Sequence, residues 1–552
     1  MNKFAVVSAV LALTLSSCAS LTHWLSVSAV PISKQTEIQQ TLLLQHQQVG
    51  QLDVNWPQNL SSRALVNNRA SFISYRQQGY LLLDIGAAQE IELRVNQHQF
   101  TLRPAADLGQ YLKLDISKLT KNGINQLELV SLKPLGALVR LVAPFPELQG
   151  GTPEQTGFDT EQFEQLDQLI QRDIERGFPG AVLVIIKDGK VIKQTAFGYA
   201  SKFGCDGEAL NAPEPMQTDT IFDLASNTKM YAANFALMYL MSKGLLDVNK
   251  PVNAYLAEYK GDGREQRLVK DLLTHTAGYA PEVHFHRPDN QHGAMFYSLD
   301  RERTMQLLAT ELPFATERSS QAVYSDTDYM LLGMIVERIT GQPLDSFVEQ
   351  SFYQPLGLKR TLFNPLRKGV TITDIAATEL NGNSRGGRIA FPANVPGVVR
   401  GYVHDEKARY AFDGVAGHAG LFSSAPELAQ LAFITLHGGY GMQQLFSPTV
   451  LQQFTRPSTE DAGFGLGWRT AASGELKWQF GPYASTYAFG HTGWTGTATL
   501  IDPLHNLVVV LLTNKKHSPV IDTGENRYYF SGDRFETGMY GSIMSKIYQA
   551  MQ

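Results

Sequence analysis

The chain has 552 residues, of which 43% are hydrophobic and 18% charged, with a formal net charge of -5. That length exceeds one compact core, so two domains are expected, and the apolar content excludes a disordered chain. The mild negative charge, with no basic run anywhere, argues against a nucleic-acid partner.

The chain opens on a processing segment. Lys3 supplies a positive region, Phe4–Leu15 an apolar one, and small residues follow up to Cys18. The run is too short to span a bilayer as a mature helix. Leu15-Ser16-Ser17-Cys18 resembles a bacterial lipobox, whose cysteine is acylated. Residues 1–18 are therefore read as a lipoprotein signal, and the protein as exported. It would face the periplasm from the outer membrane, held by its lipid alone; an ordinary secretory signal is the alternative. Cys205 is the one other cysteine, so no structural disulfide is expected. Residues 19–45, rich in Ser, Thr and Gln, read as a tether.

Residues 46–148 read as a small all-β sandwich. Ile91, Leu93 and Val95 alternate with polar residues; Asn96-Gln97 offers a turn before Phe100 and Leu102. Leu112, Leu114 and Ile116 alternate again, and Leu127 and Leu129 follow the turn signal Asn122-Gly123. The stretch LKLDISKLTKNGINQLELVSL (112–132) resembles the galactose-binding-like jelly rolls attached to many sugar hydrolases. A wall- or sugar-binding module and a plain spacer are both open readings.

Pro144-Phe145-Pro146 and Gly150-Gly151-Thr152-Pro153 mark a boundary, and residues 155–552 read as an α+β domain. Asp159 and Gln162 have capping-box spacing, with Phe163, Leu166, Ile170 and Ile174 at helical period behind them. Ala181–Ile186 and Val191–Phe197 flank Asp188-Gly189, a hairpin signal. Near the end, Phe464–Arg469, Ala488–Thr492, Thr497–Ile501 and Leu507–Leu512 read as strands, and Glu536–Met551 as a helix. A sheet drawn from both ends of the domain would enclose a helical middle.

Three stretches carry chemistry. In IFDLASNTKMYAANFALMYL (221–240), Ser226 stands three residues before Lys229, a spacing that puts hydroxyl and amine on one helix face. The helix is apolar nearly all round, hence buried, and burial disfavours the charged ammonium, so Lys229 can serve as a proton acceptor. The helix start also offers backbone N–H groups to a developing oxyanion. Tyr324 precedes a helix expected over Asp328–Gly341; it reads either as a proton relay or as a packing residue followed by a cap. Phe489-Gly490-His491-Thr492-Gly493-Trp494-Thr495-Gly496 reads as a strand that another group can approach closely, with the Trp494 N–H as a second oxyanion donor, or as a bulged strand edge.

Together these pieces resemble the class C β-lactamase-like serine hydrolases, a family that includes penicillin-binding proteins and esterases. The order Ser-x-x-Lys, Tyr-x-Asp, His-Thr-Gly matches over residues 155–552, as do LLTHTAG (272–278) and GHAGLFS (417–423). DLASNTKMYAANFAL, YSDTDYMLLG and VHDEKA are similar to the penicillin-binding-protein-4B type of D-alanyl-D-alanine carboxypeptidase. The resemblance implies Ser226 as acylated nucleophile, Lys229 and Tyr324 as proton-handling pair, and an oxyanion hole from the N–H groups of Ser226 and Trp494. His491, Thr492 and Gly493 would align substrate. It implies a peptidoglycan stem peptide or a small ester as substrate and β-lactams as acylating ligands, with no cofactor or metal.

Two positions depart from that pattern. Asp326 stands where asparagine is usual; a carboxylate beside Lys229 favours the ammonium and shifts the role of base to Tyr324. His491 stands where lysine is usual; an ordinary histidine is mostly neutral at pH 7, so a substrate carboxylate is expected to bind better toward pH 6 unless Asn514 or Lys515 compensates. An esterase on neutral esters, or a non-catalytic wall-binding penicillin sensor, are the competing readings. His284, His286 and His292 share a loop without an obvious fourth ligand and read as solvated. His404, Asp405 and Glu406 read as structural, and His275 and His418 as loop holders.

Overall fold

The computed structural model describes residues 25–30, 50–55, 68–105, 108–382, 397–459, 461–522 and 528–551. The expected signal, Cys18 and most of the expected tether lie outside them. The chain divides into two compact units: residues up to Glu147 with Gly439–Gln444, and Leu148–Gly438 with Leu445–Gln552.

The first unit is built from two antiparallel sheets. One orders β1 (Val27–Ala29), β7 (Tyr111–Asp115), β4 (Tyr80–Asp84), β9 (Leu138–Val142) and β2 (Gln51–Asn55). The other orders β3 (Arg69–Ser74), β8 (Gly123–Lys133), β5 (Glu90–Val95) and β6 (His98–Leu102). The alternation read from sequence is the alternation of burial: Ile91, Leu93 and Val95 point inward with Leu112, Leu114, Leu127 and Leu129, and the two sheets share one apolar core. Asn96 turns the β5–β6 hairpin with φ 54°. One expectation is corrected here: β1 lies within the supposed tether and pairs Val27 with Leu114.

The second unit has a sheet ordered β10 (Gln149–Gly150), β12 (Lys190–Phe203), β11 (Gly180–Lys187), β19 (Leu507–Thr513), β18 (Thr497–Asp502), β17 (Phe489–Gly493) and β16 (Arg469–Thr470), with β13 (Ala209–Pro215) on β12. β11 and β19, from opposite ends of the domain, run antiparallel from Ala181↔Thr513 to Lys187↔Leu507. One face packs on α1 (Thr160–Glu175) and α5 (Tyr540–Gln549) through Phe163, Leu166, Ile170, Ile543 and Ile547. The other receives α4 (Ala425–His437). Both central strands are therefore covered on both faces, which is why they read as unbroken apolar runs. Asp159 caps α1 by accepting from the N–H groups of Glu161 and Gln162. Asp188 and Gly189 both have positive φ, as a two-residue hairpin turn requires. The strand expected at Phe464–Arg469 is instead a bridge between its two ends, with β16 starting at Arg469.

Candidate active site

Ser226 sits at the mouth of a buried helix. Strand β14 (Ile221–Asp223) pairs with β15 (Leu421–Ser424), and Ala225 then turns the chain with a left-handed φ of 45°. Such a conformation costs a non-glycine residue roughly 1 kcal/mol or more. Helical bonding starts at once, with Lys229 N–H donating to the Ser226 carbonyl. Lys229–Asn234 form a π turn before α2 (Phe235–Ser242), a wider hydrogen-bonding pattern common at functional sites. Ser226 is half-buried while its neighbours from Ile221 to Met238 are buried.

Lys229 Nζ lies 3.1 Å from Ser226 Oγ, 2.8 Å from Asp326 Oδ1 and 3.1 Å from the His418 carbonyl oxygen. Two of these partners only accept, and serving all three as donor takes three protons, the ammonium form. Burial pushes the Lys229 pKa down, but the Asp326 carboxylate and Tyr324 outweigh it and the pKa ends raised. Burial likewise pushes Asp326 up, and the ammoniums of Lys229 and Lys407 outweigh it, holding Asp326 well below the carboxylate range. Lys407 Nζ is 3.3 Å from Asp326 and 3.0 Å from Asp405, which pairs in turn with His418 at 2.9 Å.

Tyr324 precedes α3 (Asp326–Thr340), which starts two residues earlier than expected and ends at the left-handed Gly341. Its ring centroid is 5.0 Å from Lys229 Nζ and 5.0 Å from Arg469 Cζ. The ring packs on His275 at 4.7 Å and faces His491 at 6.0 Å. His275 is fixed through Nδ1 by Asp328 at 2.8 Å and by the Ser325 N–H at 3.2 Å. Burial, with Lys229 and Arg469, takes its pKa down to about 3, so it stays neutral. Ser325 is not a side-chain cap; its hydroxyl donates to the Ala280 carbonyl.

The β17 strand is stitched to the Ser226 turn. A Cβ on Gly493 would collide with the Leu224 carbonyl and the Thr497 hydroxyl, so only glycine allows this approach. Thr495 and Thr497 hydroxyls donate to the carbonyls of Asp223 and Leu224, and Asn227 donates to Thr497. The Trp494 ring stacks on His404 with centroids 4.6 Å apart.

His491 is buried, and its Nδ1–H donates to the Thr492 carbonyl at 2.8 Å. Burial first, then Arg469 and Lys229, push its pKa well below the ordinary histidine value. The expected gain of charge toward pH 6 is therefore corrected: His491 is neutral there too. Its Nε2 is a buried acceptor with no hydrogen-bond partner among the described residues. Asn514 is also corrected. Its amide donates to the Tyr199 and Ala200 carbonyls and holds β12, and Lys515 is spent on the Gly538 carbonyl and Asp533.

Sequence reasoning missed Arg469. It lies on β16 opposite Gly490 of β17, largely buried, and no ion pair to it occurs among the described residues. Strand pairing across 21 residues places it there, and no local motif marks it. It also missed the grouping of His284 and His286 with Glu406 rather than His292, and that His286 is buried, not solvated.

This fold and this convergence of serine, lysine and tyrosine define a serine hydrolase of the β-lactamase and penicillin-binding-protein class. Residues 166–534 match the family described as Beta-lactamase, and the chain belongs to it. It is 50% identical over 406 residues to the N-acetylmuramyl-L-alanine amidase of Bacillus subtilis (strain 168), covering 72% of this chain and 91% of that one. It is 43% identical over 418 residues to the "Putative D-alanyl-D-alanine carboxypeptidase" of Escherichia coli (strain K12), covering 74% and 95%. A penicillin-binding protein homologue from Caulobacter crescentus shares the fold, with a TM-score of 0.50 and 20% identity over 71% of this chain and 99% of that one.

Proposed function

We propose that the protein cleaves amide bonds in peptidoglycan fragments through an acyl-enzyme on Ser226. The observation that supports this best is Ser226 Oγ held 3.1 Å from a Lys229 that carries its full complement of protons. A charged lysine takes no proton, so Tyr324 is the base. Its oxygen accepts the Ser226 proton as Oγ attacks the carbonyl carbon, and returns it to the departing amine. Lys229 and Arg469 flank the ring and balance the charge that moves through it. The N–H groups of Ser226 and Trp494 hold the oxyanion. Water then enters and gives a proton to Tyr324 as its oxygen attacks the acyl carbon; the bond to Ser226 Oγ breaks, Tyr324 returns that proton to Oγ, and the acid leaves.

The relatives are named for two bonds, muramyl-L-alanine and D-alanyl-D-alanine. The neutral, buried His491 favours the first, because a lactyl–alanine amide needs no cation at that position. Arg469 favours the second, as the cation able to meet a terminal carboxylate. Muramyl dipeptide and a D-Ala-D-Ala peptide, each followed by mass spectrometry, rank the two. Fluorescent penicillin tests the shared chemistry: the adduct should map to Ser226, and Ser226→Ala should lose it with at least about 10³-fold of the hydrolysis. Hydrolysis that survives Ser226→Ala overturns the proposal. Export with a lipid on Cys18 belongs to the same reading, and Cys18→Ala should move the protein from the membrane to the soluble fraction.

A further inference from the structure

Lys229 belongs to a closed ring of side chains, most of which the proposed reaction does not use. Its Nζ donates to Asp326 Oδ1 at 2.8 Å and to the His418 carbonyl oxygen at 3.1 Å. The other oxygen of Asp326, Oδ2, lies 3.3 Å from Lys407 Nζ, which pairs with Asp405 Oδ2 at 3.0 Å. Asp405 Oδ1 accepts from His418 Nε2–H at 2.9 Å, so the ring returns to the residue whose carbonyl binds Lys229. The side chains of Lys229, Lys407 and His418 are wholly buried, and those of Asp326 and Asp405 nearly so. We propose that Lys407 is a positioning residue for the reaction: it fixes the plane of the Asp326 carboxylate, and through it the place of the Lys229 ammonium. The role rests on the acyl-enzyme chemistry of Ser226 and Lys229 proposed above.

Geometry carries this. A carboxylate with one cationic partner can turn about its Cβ–Cγ bond and carry that partner with it. Asp326 has a cation on each oxygen, from different segments of the chain, so turning would break one pair. The two ammoniums also account for the residue type. Asparagine, usual at this position, has one acceptor oxygen and an NH2 that only donates, so its amide would set a donor against one of them. Aspartate accepts from both. Lys407 is therefore what makes a carboxylate, rather than an amide, the fitting partner of Lys229. Glu282, 3.8 Å away in the 282–286 loop, and Glu406, 3.9 Å away on its own segment, also face Lys407. Tyr324 faces Lys229, its ring centroid 5.0 Å from Nζ. Asp405 completes the ring: by pairing with both Lys407 and His418, it ties the Asp326 side of Lys229 to the carbonyl side.

The pH profile of acylation of the full chain by fluorescent penicillin tests this, beside urea unfolding, which needs no turnover. Asp326→Asn leaves the Lys229 and Lys407 ammoniums facing one another, so its alkaline limb falls. Adding Lys407→Met removes that repulsion and should bring the limb back up by about one pH unit or more. A residue that only supports the fold would not raise it. Lys407→Met alone should lower kcat for a soluble muropeptide about tenfold or more, with KM within about twofold, because Lys229 is misplaced in the transition state. In urea, the double variant should lose less than the two single variants combined. Should Lys407→Met fail to fold, isosteric Asp405→Asn, which loosens Lys407 and His418 together, should show the same split of kcat from KM. A double-variant limb no higher than that of Asp326→Asn, an unchanged kcat in Lys407→Met or Asp405→Asn, or strictly additive urea losses each overturn the role of Lys407. Wild type that penicillin does not acylate at Ser226 overturns instead the function proposed above, and the urea cycle still decides whether residues 326 and 407 act as a pair.

Discussion

Asp326 decides what Lys229 can do. The carboxylate raises the lysine's pKa against burial, so Asp326→Asn leaves burial opposed by Tyr324 alone and lowers it. In wild type, the stability that Lys229 gains is full below its unfolded pKa of about 10.4 and is lost only as pH rises through the raised folded value. That of Asp326 is present above about 3.9 and is lost as pH falls through its depressed folded value. The pair is therefore constant from roughly pH 5 to 9. In Asp326→Asn the alkaline limb of kcat/KM should move to lower pH, and urea unfolding should show a loss of about 3 kcal/mol, because one buried charge is left unpaired. An unmoved limb sinks the assignment of Lys229 as a permanent ammonium. His491 gives the opposite expectation. Neutral throughout, it should leave KM for a D-Ala-D-Ala peptide flat between roughly pH 5.5 and 7.5. Arg469→Gln, by contrast, should raise that KM about tenfold or more if the guanidinium meets the carboxylate.

At the scale of elements, the site depends on how closely β17 approaches the Ser226 turn. Gly493→Ala puts a methyl group against the Leu224 carbonyl, which belongs to backbone and cannot rotate away. The strand tip must retreat, and a shift of about 1 Å is expected to lower kcat/KM about 10²-fold while thermal melting changes little. Unchanged turnover would mean that the 493–494 peptide has no part in catalysis. Elements whose signal is periodic were legible: β5 and β7 by twos, α1 and α3 by helical stripes, the β11–β12 turn by Asp188-Gly189. The π turn at Lys229–Asn234 was not, because one extra residue in a uniformly buried helix leaves no stripe to displace. Phe464–Arg469 misled for a related reason: its glycines and aromatics pass for a strand, while the chain there folds back on itself to close a bridge.

Across the whole molecule, every group placed around Ser226 comes from the second unit: Lys229 from the π turn, Tyr324 and Asp326 from the start of α3, His418 before β15, Arg469 and His491 from the sheet. Local motifs pointed to Ser226, Lys229 and Tyr324 because each lies within a few residues of a recognisable pattern. Arg469, Lys407 and the grouping of His284 with Glu406 stayed hidden because they depend on strand register and loop packing over tens to more than a hundred residues. The first unit has its own apolar core, centred on Leu83, Ile91, Leu93, Leu114, Leu129 and Leu141. An independent core and an intact site together imply separable functions. A chain beginning at Leu148 should therefore fold, be acylated by penicillin at Ser226 and turn over a soluble muropeptide within about twofold of the full chain, since a difference that small is under half a kcal/mol. Binding to insoluble peptidoglycan sacculi is the property that should change if the first unit is a wall-binding module. A tenfold loss on the soluble substrate would instead make the sandwich a working part of the enzyme.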